Sequence, residues 1–166
     1  LQGAFNKPTS NISLNPAVDG NTTITQEESS IANVAEKVSP SVVSIVATTQ
    51  SEYYYNASGG SAAGTGIIVS KDGYVLTNNH VVEGTSNISI IDSEGNKYTH
   101  VTVVGRDPLN DVAFLKIKAD TEFKPAELGN SSTLRTGQQV VAIGNALGQY
   151  SNSVTSGIVS GTGRPI

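Results

Sequence analysis

From Pro40 onward the chain is cut into short β-branched and aliphatic runs, each bounded by turn-forming residues. Runs of about four to eight residues bounded in this way suit half-buried strands and are too short for helices. The first is Ser41 to Thr48; others are Gly66 to Ser70, Tyr74 to Thr77, Asn87 to Asp92, Lys97 to Gly105, Val112 to Ile117, Gln138 to Ile143 and Ser153 to Ser160. Lys71-Asp72-Gly73 lies between the second and third, a hairpin signature in which the glycine takes φ > 0. Ser93-Glu94-Gly95-Asn96 is another turn. Past Pro40, only a brief turn after His80 reads as helical. The pattern predicts an all-β fold, an antiparallel barrel rather than a parallel sheet.

The segments before and between these runs differ in kind. Residues 1–24 are polar, rich in Asn, Ser, Thr, Gly and Pro, and bury too little to offset their ordering entropy, so they read as a flexible leader. A helix follows: Thr25-Gln26-Glu27-Glu28 has capping-box form, Ile31, Val34, Ala35 and Val38 share one face, and Pro40 ends it. It is expected to pack on the barrel. Ser51 to Ala63 combines Tyr53-Tyr54-Tyr55 with Gly59-Gly60 and reads as an exposed loop. The three tyrosines suit either an interface or packing on their own barrel.

At 166 residues the chain holds one domain or two small ones. A net charge of -4 with 14% charged residues and no basic run leaves no footprint for nucleic acid. With no Cys and two His there is neither a disulfide framework nor a thiolate metal site, so no metal or cofactor is expected. The lack of Cys also leans towards an exported chain. No stretch approaches the roughly 18 to 20 apolar residues that span a bilayer.

His80 follows the apolar strand Tyr74 to Thr77 and precedes Val81-Val82. Such a histidine is held by packing yet sits near the barrel rim, where an imidazole can serve as a general base near neutral pH, although a lone histidine at a strand end is more often structural or merely exposed. That role needs an acceptor to fix the tautomer, and two carboxylates compete for it. Asp111 opens the apolar run Val112-Ala113-Phe114-Leu115, and burial beside the histidine would suit it. Asp107 precedes Pro108 and reads as a turn residue that satisfies local backbone donors.

Three blocks carry a family resemblance. Gly64-Thr65-Gly66 through Thr77-Asn78-Asn79-His80-Val81-Val82, Asp107-Pro108-Leu109-Asn110-Asp111-Val112-Ala113, and Gly144-Asn145-Ala146-Leu147-Gly148 with Thr155-Ser156-Gly157 together resemble the HtrA/Deg serine proteases. The resemblance implies a trypsin-like double β-barrel. Its first barrel would be complete over residues 25–128 with the short N-terminal helix, and its second would begin over residues 129–166. It also implies His80 and Asp111 as the catalytic base and its partner. The His-before-Asp order places the serine last in such enzymes, in a Gly-Asn-Ser-Gly-Gly loop, and no such segment occurs here.

Two near matches are set aside. Gly129-Asn130-Ser131-Ser132 lacks the paired glycines and reads as an interbarrel turn; Ser58-Gly59-Gly60 precedes His80, against the chain order. The glycines at 64 and 66 lead into a strand rather than a helix N-terminus, so no phosphate site is expected there. The resemblance implies a serine endopeptidase acting on unfolded or damaged proteins outside the cytoplasm, as a trimer. Its partners would be protein or peptide substrates and the C-terminal remainder of the domain, or a swapped copy, completing the sheet. The competing reading is a non-catalytic barrel module with a chaperone or regulatory role.

Overall fold

The structure is a computed structural model and describes residues 26–48, 61–146 and 150–163. The leader, Thr25, Tyr53–Tyr55 and Ser58–Gly60 lie outside these residues. The described chain is mostly β. Helix α1 (Gln26–Val38) leads through a 3-10 turn at Ser39–Ser41 into β1 (Val42–Thr48). Then come β2 (Ser61–Ile68), β3 (Tyr74–Thr77), the helical turn α2 (Asn79–Val82), β4 (Asn87–Ile91) and β5 (Lys97–Tyr98). The remaining strands are β6 (Val101–Asp107), β7 (Val112–Ile117), β8 (Gln139–Ala146) and β9 (Tyr150–Ile158).

Seven strands form one sheet in the order β5-β4-β1-β2-β3-β7-β6, and every recorded pair in it is antiparallel. The result is a half-barrel; β8 and β9 pair separately as a two-stranded antiparallel sheet. The core follows from strand periodicity. Ala113, Leu115 and Ile117 of β7 point inward while Phe114 faces out. They meet Val43, Ile45, Ile68, Val75 and Ile90, with Phe123 edge-on to Tyr98 at 5.3 Å. The irregular stretch after β7 is tied down where Phe123 and Ala126 N–H groups donate to the carbonyls of Lys71 and Ile68.

Several boundaries differ from the sequence reading, each for a tertiary reason. Ser61–Ala63, read as loop, begin β2, because Ser61, Ala62 and Ala63 pair with Thr48, Ala47 and Val46 of β1. Pairing with a central strand outweighs the poor strand propensity of small residues. The single strand expected over Lys97 to Gly105 is two: β5 pairs with β4, and β6 pairs with β7. Between Val103 and Gly105 the register shifts, leaving Val104 as the extra, exposed residue of a bulge. The hairpin at Gly73 is as expected, with φ of 91°. Helix α1 ends at Val38 as expected; Val34 on its apolar face remains exposed.

Candidate active site

Strand register brings the chemistry together. Strands β3 and β7 pair antiparallel from Tyr74↔Lys116 to Thr77↔Ala113, so the same register continued sets position 79 opposite position 111. The residue after position 79 is His80. The backbone then leaves the sheet: Asn78 is extended, and residues Asn79–Val82 close one helical turn. Val81 and Val82 are buried and anchor that turn, which leaves His80 at the surface. The helical turn thus contains His80 instead of following it.

Two features let the turn seat so closely. A Cβ on Gly64 would stand 2.5 Å and 2.8 Å from the two methyl carbons of Val81, so only glycine admits this approach of β2 to α2. The hydroxyl of buried Thr77 donates to the carbonyl of Thr65 at 2.8 Å, tying the end of β3 to the middle of β2.

Asp107 shapes the loop on the other side. Its Oδ1 accepts the backbone N–H groups of Leu109 and Asn110, and its Oδ2 accepts the Asn110 side-chain amide at 2.6 Å. These bonds hold its carboxyl below the usual carboxylate range, the Asn110 side chain contributing most. It ends β6, and its side chain holds the turn that follows. Asp111, the last residue of that turn before β7, takes a left-handed backbone conformation with φ of 52°. Asp tolerates that region better than most residues.

The carboxylate of Asp111 meets His80 twice. Oδ1 accepts the His80 backbone N–H at 2.9 Å and Oδ2 lies 2.7 Å from Nδ1. A carboxylate only accepts, so Nδ1 of the neutral ring carries the proton and Nε2 presents its lone pair. Among the described residues Nε2 has no hydrogen-bond partner. The His80 backbone N–H, then its ring, hold the Asp111 carboxyl below the usual range; slight desolvation opposes them and Asn78 adds a smaller lowering. The burial expected for Asp111 is absent, since its side chain is 43% exposed and that of His80 69%. The pair stands on a rim, with hydrogen bonds rather than apolar cover fixing the carboxylate.

Sequence reasoning missed Asn78. Its side-chain amide donates to the Asp111 carbonyl at 3.2 Å and to Oδ2 at 3.1 Å. The available signal was its place two residues before His80 at the end of β3. At the near match set aside in the sequence, Asn130 caps a 3-10 turn over Ser131–Thr133, accepting the Ser132 N–H at 3.0 Å and its hydroxyl at 2.6 Å. That is the local turn expected there.

Residues 64–165 match the trypsin-like peptidase domain family. The chain belongs to the trypsin-like peptidases. Within them it is part of an HtrA/DegP-like serine protease domain. The serine protease Do-like HtrA of Bacillus subtilis (strain 168) is 39% identical over 154 residues, covering 85% of this chain. A probable periplasmic serine endoprotease, DegP-like, of Marinomonas sp. (strain MWYL1) is 45% identical over 106 residues, covering 64% of this chain. The chain spans only 34% of the first relative's length and 22% of the second's. The solved HtrA-type protease AlgW with tripeptide superposes with a TM-score of 0.71 at 36% identity, covering 81% of this chain and 41% of that one. The match to the trypsin-like family thus includes β2 from Gly64 onward, the His80 turn, the Asp111 loop and the β8–β9 sheet.

Proposed function

We propose that this segment supplies the general base and its orienting carboxylate to an HtrA-type serine endopeptidase. The observation that carries the reading is the 2.7 Å contact between His80 Nδ1 and Asp111 Oδ2, made by a ring that is otherwise exposed. His80 Nε2 takes the proton of a serine hydroxyl as it attacks a peptide carbonyl, and returns it to the leaving amine. Asp111 fixes the tautomer and stabilises the imidazolium. The serine and the donors that stabilise the oxyanion belong to a part of the protein outside these 166 residues, which completes the second barrel of a double-barrel protease.

Substrates on this reading are unfolded or damaged proteins met outside the cytoplasm, and the protease assembles as a trimer. Support for the location comes from the DegP-like relatives, whose names call them periplasmic. Among the described residues no helix is long and apolar enough to cross a membrane. The test is His80→Ala in the full-length protein, assayed on casein: hydrolysis should vanish, and sustained turnover would refute the assignment.

A further inference from the structure

Asn78 occupies the residue just before α2, with φ of -79° and ψ of 145°, where an asparagine ordinarily caps the helix by accepting a backbone N–H of the first turn. It makes no such cap. Its side chain crosses to Asp111, 33 positions along the chain, and its amide donates to both the main-chain carbonyl and carboxylate Oδ2. Both partners are acceptors, so only the NH2 end of the amide can face them.

We infer that Asn78 is a positioning residue, clamping Asp111 by its backbone and carboxylate at once so that Oδ2 stays on His80 Nδ1. The inference rests on the proposed catalytic reading of His80 and Asp111. Asp111 needs such a clamp for two reasons. Its left-handed backbone conformation is one that few side chains adopt, and its carboxylate is too exposed for packing to fix its rotamer. Without Asn78, the described residues leave the carboxylate only the His80 backbone N–H on Oδ1 and, on Oδ2, the ring it is meant to orient. With Asn78 in place, the carboxylate keeps its position whether the imidazole is neutral or protonated, as a base that cycles between the two requires.

The test compares Asn78→Ala and Asn78→Asp in the full-length protein, reading kcat and KM on a peptide substrate, with the folded fraction checked by circular dichroism. Loss of the donor in N78A should lower kcat about tenfold, with KM within about twofold. N78D keeps the size of the side chain but sets a carboxylate against Oδ2, and should lower kcat by about a hundredfold. A role in packing alone ranks the two the other way, since the same-sized residue would then be the milder change. The inference is overturned if N78A keeps kcat within about twofold of the parent, or if N78D is the milder variant. Should N78D fail to fold, the kcat of N78A decides alone. H80A run in parallel separates the two levels: an active H80A removes the catalytic reading, whereas an inactive H80A beside a fully active N78A removes only the clamp.

Discussion

Asp111 reaches His80 from a left-handed backbone conformation, φ 52°, and from there one carboxylate accepts both the backbone N–H and the ring Nδ1 of the histidine. An amide at position 111 can keep that backbone but must offer an NH2 to one of the two donors. Asp111→Asn in the full-length protein should therefore lower kcat by about 10⁴-fold, because the ring is turned to the wrong tautomer. The check is steady-state kinetics on a peptide substrate, with circular dichroism showing the fold unchanged.

Asp107 gives the contrasting outcome. Its oxygens are taken up by Leu109 and Asn110 in the turn, and none contacts His80. Asp107→Ala should lower the melting temperature, as loss of a backbone cap does, and reduce kcat by no more than about tenfold. A loss of activity equal to that of Asp111→Asn would show that the wrong carboxylate has been given the role.

Gly64 makes a prediction about packing. A methyl group there meets both methyl carbons of Val81 at under 3 Å, and Val81 is a stiff, buried side chain that carries the His80 turn. Gly64→Ala should destabilise the protein by about 1–3 kcal/mol, measured by urea unfolding, and displace His80 enough to reduce kcat. The double variant Gly64→Ala, Val81→Ala should recover part of both losses, since it removes the clash.

The pH dependence of stability has a definite sign. The His80 backbone N–H, followed by the His80 ring, depresses the Asp111 carboxyl below its ordinary 3.8. A depressed carboxylate stabilises the fold above its ordinary pKa and loses that contribution as pH falls through the lowered value. Urea midpoints of the parent and Asp111→Asn should differ at neutral pH and converge as pH falls from 3.8 through the lowered value, where the folded acid becomes a neutral group like the amide. A difference that stays constant across that range would contradict the linkage.

Much of this site was legible in the sequence because it is built from local patterns. Gly73 marked a hairpin, the buried pair Val81-Val82 anchored the His80 turn, and Asp107 before Pro108 marked a carboxylate spent on local donors. What was not legible depends on pairing between distant segments. Ser61–Ala63 became strand only because β1 offers partners, and β5 parted from β6 because each found a different neighbour. The exposure of Asp111, its positive φ and the crossing of Asn78 depend on the register of β3 against β7, which no single stretch contains.

The central claim is that Asp111 holds neutral His80 with its proton on Nδ1 and its lone pair on Nε2. Nitrogen-15 NMR of the imidazole rings tests it most directly, with the His80 signals assigned against those of His100 by a His100→Gln variant. At a pH where the ring is neutral, His80 should show the Nδ1–H tautomer and lose it in Asp111→Asn. A parent protein whose His80 carries its proton on Nε2, unaffected by that substitution, would contradict the account.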